Sequence, residues 1–380
     1  MNILIAGDYC PQERVTTIIK DRESRGEVLR DLSDEIHGAD YSIVNFECAV
    51  VGDDKKGYQP IEKFGPCLSC TPESVEVLSE AGFKCVTLAN NHFRDYGNVG
   101  CEATISCLKS AAIDYVGGGI NIDEARHTLH VNIKGKRLAI INACEYEFSI
   151  ASKKRAGAAP LEIIDVCNQI HSAKHQSDYV IVILHGGHEH YQLPSPRMVK
   201  TYRFFVDQGA DVVINHHQHC YSGYEIYNGH PIFYGLGNFL FDWKGKRNTE
   251  WNEGYALMMN LDECIEFELL PYTQCNDRAV VKQMNDKEKK RFFERIAELN
   301  EIIKDEEKLK SHFDKFCEQR KRSIIVPFTP YLNKYARIVA GRHWLPYFLP
   351  KNKVLAEINF IECEAHRDVL LNTFHKMTET

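Results

Sequence analysis

Val180-Ile181-Val182-Ile183-Leu184-His185-Gly186-Gly187-His188-Glu189-His190 is an aliphatic run that stops abruptly in histidines. Consecutive β-branched and aliphatic residues bounded by polar groups read as a strand buried on both faces. The residues at the end of this run are of the kind that bind metals or move protons. Four other runs end in the same way: Ile3-Leu4-Ile5-Ala6 in Gly7-Asp8, Ser42-Ile43-Val44 in Asn45-Phe46-Glu47, Val86-Thr87-Leu88-Ala89 in Asn90-Asn91-His92, and Val212-Val213-Ile214 in Asn215-His216-His217-Gln218-His219. In open α/β sheets, ligands gather beyond the carboxyl ends of the strands. Asp, Glu, Asn and His from five strand ends therefore converge, and that donor set suits a pair of divalent cations. Metal-dependent hydrolysis or group transfer is the function this pattern predicts.

The 380 residues can bury a sizeable core and allow one large domain, with or without an appendage. A net charge of -7 comes from mixed signs along the chain, which argues against general nucleic-acid binding and against a polybasic membrane attachment. Met1-Asn2-Ile3-Leu4 reaches Asp8 without a basic region or long apolar stretch, and the apolar runs are strand-sized, far short of the roughly 18 to 20 residues that span a bilayer. A cytoplasmic protein with no direct membrane insertion is expected. Its 14 cysteines are then reduced thiols, and Cys67-Leu68-Ser69-Cys70, a lone C-x-x-C, is expected to pack rather than to bind zinc.

Helical segments fall between the strands, over Thr16 to His37, Pro72 to Ala81, Gly100 to Ala112, Leu161 to His175 and Pro196 to Gln208, with Gly209 as a C-terminal stop. Arg137 to Ala143, His230 to Tyr234, Tyr255 to Leu261 and Ile265 to Leu270 read as further strands. Those are expected to add a second, partly antiparallel sheet, giving an α/β fold of four layers, α/β/β/α. After about residue 285 the pattern changes. Phe292, Ile296, Leu299 and Ile303, then Leu309, Phe313 and Phe316, recur at helical spacing. Pro327, Pro330, Pro346 and Pro350 break the chain, and Glu362 to Met377 reads as a last helix. The expected division is a catalytic domain over 1–284 and a helical extension over 285–380 that packs on it or on a protein partner, with Arg320-Lys321-Arg322 as a solvated helix end.

Two cations need a bridging carboxylate and neutral imidazole or amide ligands, so that ion repulsion is offset without excess negative charge. Glu47 is the candidate bridge and Asp8 a second carboxylate. Asn91 offers a carbonyl ligand, His92 beside it a proton donor, and Asp95 an acid that could orient His92. His185 is the strongest metal candidate after its strand. His188, Glu189 and His190 cannot all be ligands, so at least one is expected to be a substrate contact or a solvated loop residue. Seven of the 17 histidines sit at just three strand ends, far from a scattered distribution.

At these residues the chain resembles the CapA family, the poly-gamma-glutamate capsule-synthesis proteins of the calcineurin-like metallophosphoesterase superfamily. The matching stretches are Gly7-Asp8, Asn45-Phe46-Glu47, Leu88 to His92 with Asp95 and Gly97, His185-x-Gly187-x-Glu189, Gly209-Ala210-Asp211, and the span from His217-x-His219 through Glu225 to Gly237-Asn238-Phe239. The resemblance implies a metallophosphoesterase-like sandwich with two divalent ions, manganese, iron or zinc. One would take Asp8, Glu47 and His219, the other Glu47, Asn91, His185 and His217. His92 would be the general acid beside a metal-bridging hydroxide that attacks phosphorus or a carbonyl, with Asp95 supporting it and Glu189 as a further catalytic candidate. Asn90, His188, His190, Glu225 and Asn238 are the candidate substrate contacts. Cys10 stands where the superfamily usually has a histidine, His190 where an aromatic is usual, Gln218 for a proline and Asn215 for a glycine; these departures bear on metal occupancy and substrate.

Capsule-associated members are typically tethered by an apolar N-terminal segment; none is expected here, and the expected substrate is a small molecule, glutamyl polymer or peptide. Two alternatives are metal-free acid–base chemistry, such as proton exchange at a peptide Cα, and a non-catalytic role in binding a polymer or partner.

Overall fold

Backbone amides in an aliphatic run need partners that water cannot supply, and each run finds them in a neighbouring strand. The structure, a computed structural model, describes residues 1–52, 56–63, 65–325, 334–342, 344 and 361, with backbone alone over 320–325. The side chains of Arg320 to Arg322, the four prolines and the helix expected over 362–377 lie outside the described residues.

Four parallel strands, β1 (Asn2–Tyr9), β2 (Tyr41–Phe46), β3 (Cys85–Thr87) and β4 (Asp114–Val116), begin the first sheet. The second holds β5 (Leu129–Ile133), β6 (Lys136–Cys144), β7 (Tyr179–His185), β8 (Val212–His216), β9 (Tyr224–Tyr227) and β10 (His230–Phe233), in the order β9-β10-β8-β7-β6-β5. The chain then returns to the first sheet. There β11 (Asn238–Leu240) pairs with the end of β1, and β12 (Glu253–Leu261), β13 (Ile265–Gln274) and β14 (Val281–Gln283) extend its other side.

Alternation along the first sheet makes the layers. Ile3, Ile5 and Ile43 share a core with the second sheet and with the helices α5 (Ile163–Gln176) and α6 (Pro196–Asp207). Leu4, Ala6, Val44 and Val86 point the other way, into a core with α1 (Glu13–Lys20), α3 (Glu73–Ala81) and α4 (Gly97–Ser110). Two sheets face to face with helices outside are the expected α/β/β/α sandwich.

Two details of the expected layout are corrected. Tyr255 to Leu261 and Ile265 to Leu270 belong to the first sheet, not the second, because β1 has an open edge that a hairpin satisfies, with Asn2 opposite Asn260 and Ile5 opposite Leu257. The five ligand-bearing runs are thus split, three in one sheet and two in the other. The helix expected over Thr16 to His37 is also broken. Asp21 accepts from the Glu23 amide and the Ser24 hydroxyl, an Asx-type turn that stops α1, and the chain continues through a short 3-10 segment to α2 (Ser33–Gly38).

Helix α7 (Asp286–Lys304) starts at an Asn285–Glu288 capping box and buries Phe292, Ile296, Leu299 and Ile303 in the core shared by the sheets. The chain divides into two compact units, Met1–Lys310 and Ser311–Thr380. Among the described residues no helix is long and apolar enough to cross a membrane.

One close approach fixes the end of β1. A Cβ on Gly7 would lie 1.9 Å from the Gly237 carbonyl oxygen, the atom that accepts the Asp8 amide at 3.1 Å. Gly7→Ala is therefore expected to destabilise the protein by about 3 kcal/mol, read as a lower urea midpoint, and to displace Asp8.

Candidate metal centre

Strand ends deliver the donors. Asp8 leaves β1, Glu47 follows β2, Asn91 and His92 follow β3, His185 ends β7, and His217 and His219 follow β8; all are buried. His217 and His219 have positive φ, 94° and 55°. Such backbone costs about 1–3 kcal/mol per residue outside glycine and persists only where the surroundings hold it; the Gln218 carbonyl between them takes the His190 amide at 2.8 Å.

Asp8 Oδ1 accepts from Asn45 Nδ2 at 2.7 Å, and its Oδ2 lies 3.4 Å from His219 Nδ1. Burial alone would raise Asp8, but the His219 contact and the charges of His216 and His219 hold it below the usual carboxylate range. Glu47 is the opposite case. It is fully buried, both carboxylate oxygens lack a hydrogen-bond partner, and burial followed by the Asp8 charge raises it well above the ordinary glutamate value. Its Oε1 sits 3.6 Å from His185 Nε2 and 3.7 Å from His219 Nε2.

The imidazoles differ as well. His185 is lowered strongly, by burial and then by the neighbouring histidines. For His219 burial pushes down, but Asp8 outweighs it and the net shift is upward. Ligand atoms of Asp8, Glu47 and His219 all lie within 4.8 Å of one another, and so do those of Glu47, His185 and His217. Asn91 Oδ1 joins the second group, 3.1 Å from His185 Nε2. A buried carboxylate with two unmatched oxygens, ringed by imidazole and amide donors, is what a divalent cation satisfies.

Beside this cluster His92 Nδ1 meets Asp95 Oδ2 at 2.6 Å. Asp95 also accepts the Leu68 amide at 2.6 Å and pairs with Lys63, whose Nζ lies 3.1 Å from His92 Nδ1. Burial lowers His92 despite Asp95, so the ring is neutral near neutral pH, with Nε2 left for a substrate.

Other expected site residues are exposed or otherwise engaged, and for Glu189 burial is outweighed by the charges of His219, His217, His190 and His92, which hold it below the ordinary glutamate value. His188, Glu189 and His190 lie on an exposed loop, with His190 against Lys246 at 3.0 Å and over Trp251. Three residues expected to contact substrate have their polar atoms engaged within the protein. Asn90 donates to the Phe46 carbonyl at 2.9 Å and accepts the His92 amide at 3.1 Å. Asn238 donates to the carbonyls of His219 and Trp251 and accepts at Oδ1 from His219. Both are buried frame residues whose polar atoms are taken. The Glu225 carboxylate is bound by Arg203 at 2.8 Å and by the Tyr234 hydroxyl at 2.5 Å.

Lys63 and Glu147 were not singled out by the sequence, and Asn45 and His216 were quoted at their strand ends without a role of their own. Asn45 had a signal, since it shares a strand end with Glu47. Lys63 comes from an irregular segment with no periodicity to flag it, and Glu147 reaches to 3.7 Å from His217 Nε2 from the loop after β6.

Two stacked sheets between helices, with a buried carboxylate–imidazole–amide cluster at the strand ends, define an α/β/β/α protein with a centre suited to divalent cations. Residues 2–243, more than half of the chain, match the family model of the bacterial capsule synthesis protein PGA_cap, and the chain belongs to that family. It is 35% identical over 248 residues to the capsule biosynthesis protein CapA of Bacillus anthracis, covering 64% of this chain and 60% of the relative. With the PGA biosynthesis protein CapA of Bacillus subtilis (strain 168) it shares 30% over 236 residues, covering 61% of each. The chain thus spans about three-fifths of the length of these curated relatives. Among solved structures it is similar to a phosphatase from Mycoplasma pneumoniae (TM-score 0.45, 14% identity, 76% of this chain and 96% of the other). A 5'-nucleotidase precursor from Thermus thermophilus gives a TM-score of 0.42 at 13% identity, over 78% of this chain and 58% of the other.

Proposed function

We propose that this protein is a divalent-metal-dependent hydrolase acting on a phosphoester or a glutamyl or peptide amide. The observation that carries the reading is Glu47, a buried carboxylate with both oxygens unpaired, placed between His185 and His219. Leaving such a group buried and unmatched costs several kcal/mol, and a cation removes that cost. Manganese, iron and zinc all accept this donor set. When bound, the cation supplies Lewis-acid polarisation and a nucleophile at neutral pH.

The chain's own residues supply the rest. Asp8, Glu47 and His219 would hold the cation, with Asn45 and Asn238 fixing the orientation of Asp8 and His219. His92 Nε2 would carry a proton to the leaving oxygen or nitrogen, and Asp95 would hold the ring through Nδ1 and stabilise its charged form. The names of the relatives point to a glutamyl substrate among the amides.

A second reading keeps the scaffold without a metal. It is favoured by the completeness of the His92–Asp95 pair, which needs no cation to be oriented. A panel of phosphodiesters and γ-glutamyl peptides separates the two. Turnover is expected to vanish on exhaustive chelation and to return with manganese; turnover that survives chelation but is lost in His92→Asn would replace the first reading by the second.

A further inference from the structure

The two halves of the centre are not equivalent, and the reason lies in the asparagines behind them. Asn90 is fixed first. Its Nδ2 must donate, because it faces the Phe46 carbonyl, and its Oδ1 takes the His92 amide. That same Nδ2 lies 3.3 Å from one end of the Asn45 amide, which also faces the Thr87 hydroxyl at 3.1 Å. This end of Asn45 is therefore its oxygen. The other end is the NH2 group, which matches the Asp8 carboxylate at 2.7 Å, an acceptor only.

An amide NH2 carries two protons and accepts nothing. The second proton points to His185 Nδ1 at 3.3 Å, so that nitrogen presents its lone pair. A neutral imidazole then carries its proton on Nε2, which lies 3.1 Å from both Asn91 Oδ1 and His217 Nδ1 and donates to them. A protonated nitrogen has no lone pair for a cation. To become a ligand through Nε2, His185 would have to move its proton to Nδ1 and set two buried donors against each other.

His219 is built the other way. Asn238 spends its NH2 on the carbonyls of His219 and Trp251, so its oxygen accepts the His219 Nδ1 proton at 3.0 Å. The Nε2 lone pair is then free and lies 3.7 Å from Glu47 Oε1. A ring that donates its far N–H to an oxygen is the usual posture of a metal-bound histidine.

We infer that the centre holds a single divalent cation, on Asp8, Glu47 and His219, and that Asn45 keeps His185 as a neutral hydrogen-bond donor rather than a second-site ligand. The inference rests on the proposed metal dependence but is separable from it. Full-chain protein stripped of metal is titrated with manganese, with bound metal counted by mass spectrometry and its state read by electron paramagnetic resonance. One equivalent with an isolated-ion spectrum is expected. His185→Gln should keep that equivalent, and His219→Gln should weaken it by at least about tenfold. Two equivalents with an exchange-coupled spectrum would overturn the single-ion assignment while leaving the hydrolase reading intact; no bound manganese would overturn both. Nitrogen-15 spectra of the unsubstituted metal-free protein give a check that needs no variant: the His185 proton is expected on Nε2, and a proton on Nδ1 would overturn the inference.

Discussion

Glu47→Gln is expected to stabilise the metal-free protein while removing its capacity to bind a cation. In the folded chain burial and Asp8 raise the Glu47 carboxyl well above its ordinary value. A group raised in this way contributes stability that is complete below the unfolded value and is lost as pH rises through the folded one. The metal-free wild type should therefore lose ground to the glutamine variant as pH climbs out of the ordinary glutamate range. A gain of about 2 kcal/mol for the variant is the scale set by an uncompensated buried charge. Added manganese should reverse the order, stabilising the wild type and leaving the variant unchanged, and turnover of the variant should fall at least about 100-fold. Thermal melts with and without manganese across a pH series measure both halves. Equal melting of the two metal-free proteins at every pH would show that Glu47 is not a strained group.

His92→Asn is expected to cost turnover without costing metal. The removed group is the proposed proton donor, held by Asp95, and positioned acid catalysis is worth about 10²–10⁴-fold. Bound manganese should be unchanged, since His92 touches none of the cation's expected ligands through Nδ1. The pH profile carries a further signature. Burial lowers His92 below the ordinary histidine value, so an acid-catalysed rate should decline as pH rises through that lowered pKa. In His92→Asn that limb should disappear. A variant with normal turnover, or one that keeps the limb, would move the proton-transfer role to another residue.

Much of this arrangement was legible because its determinants are local. An aliphatic run is a buried strand in any context, and its terminal Asp, Glu, Asn or His must sit at a sheet edge where ligands gather. Asp8, Glu47, Asn91 and His185 follow from that, His217 and His219 were chosen among the last run's histidines by the family resemblance, and the structure brings all six together. Strand partnership is not local. Nothing in Tyr255 to Leu261 says which sheet has an open edge, so its placement beside β1 needed the structure. The same limit explains Asn90, Asn238 and Glu225. Residue type marks them as polar, but only the structure gives their partners, two backbone carbonyls in one case and Arg203 in another. Lys63 was invisible for the converse reason, being an ordinary lysine in an irregular segment until Asp95 and His92 enclose it.

The claim on which the rest depends is that a cation bridges ends of strands from both sheets. Crystals grown with manganese and measured at its absorption edge test it directly. An anomalous peak is expected at about 2.0–2.3 Å from oxygens of Asp8 and Glu47 and from His219 Nε2. A clean map there, with manganese bound elsewhere or not at all while the enzyme turns over, would contradict it.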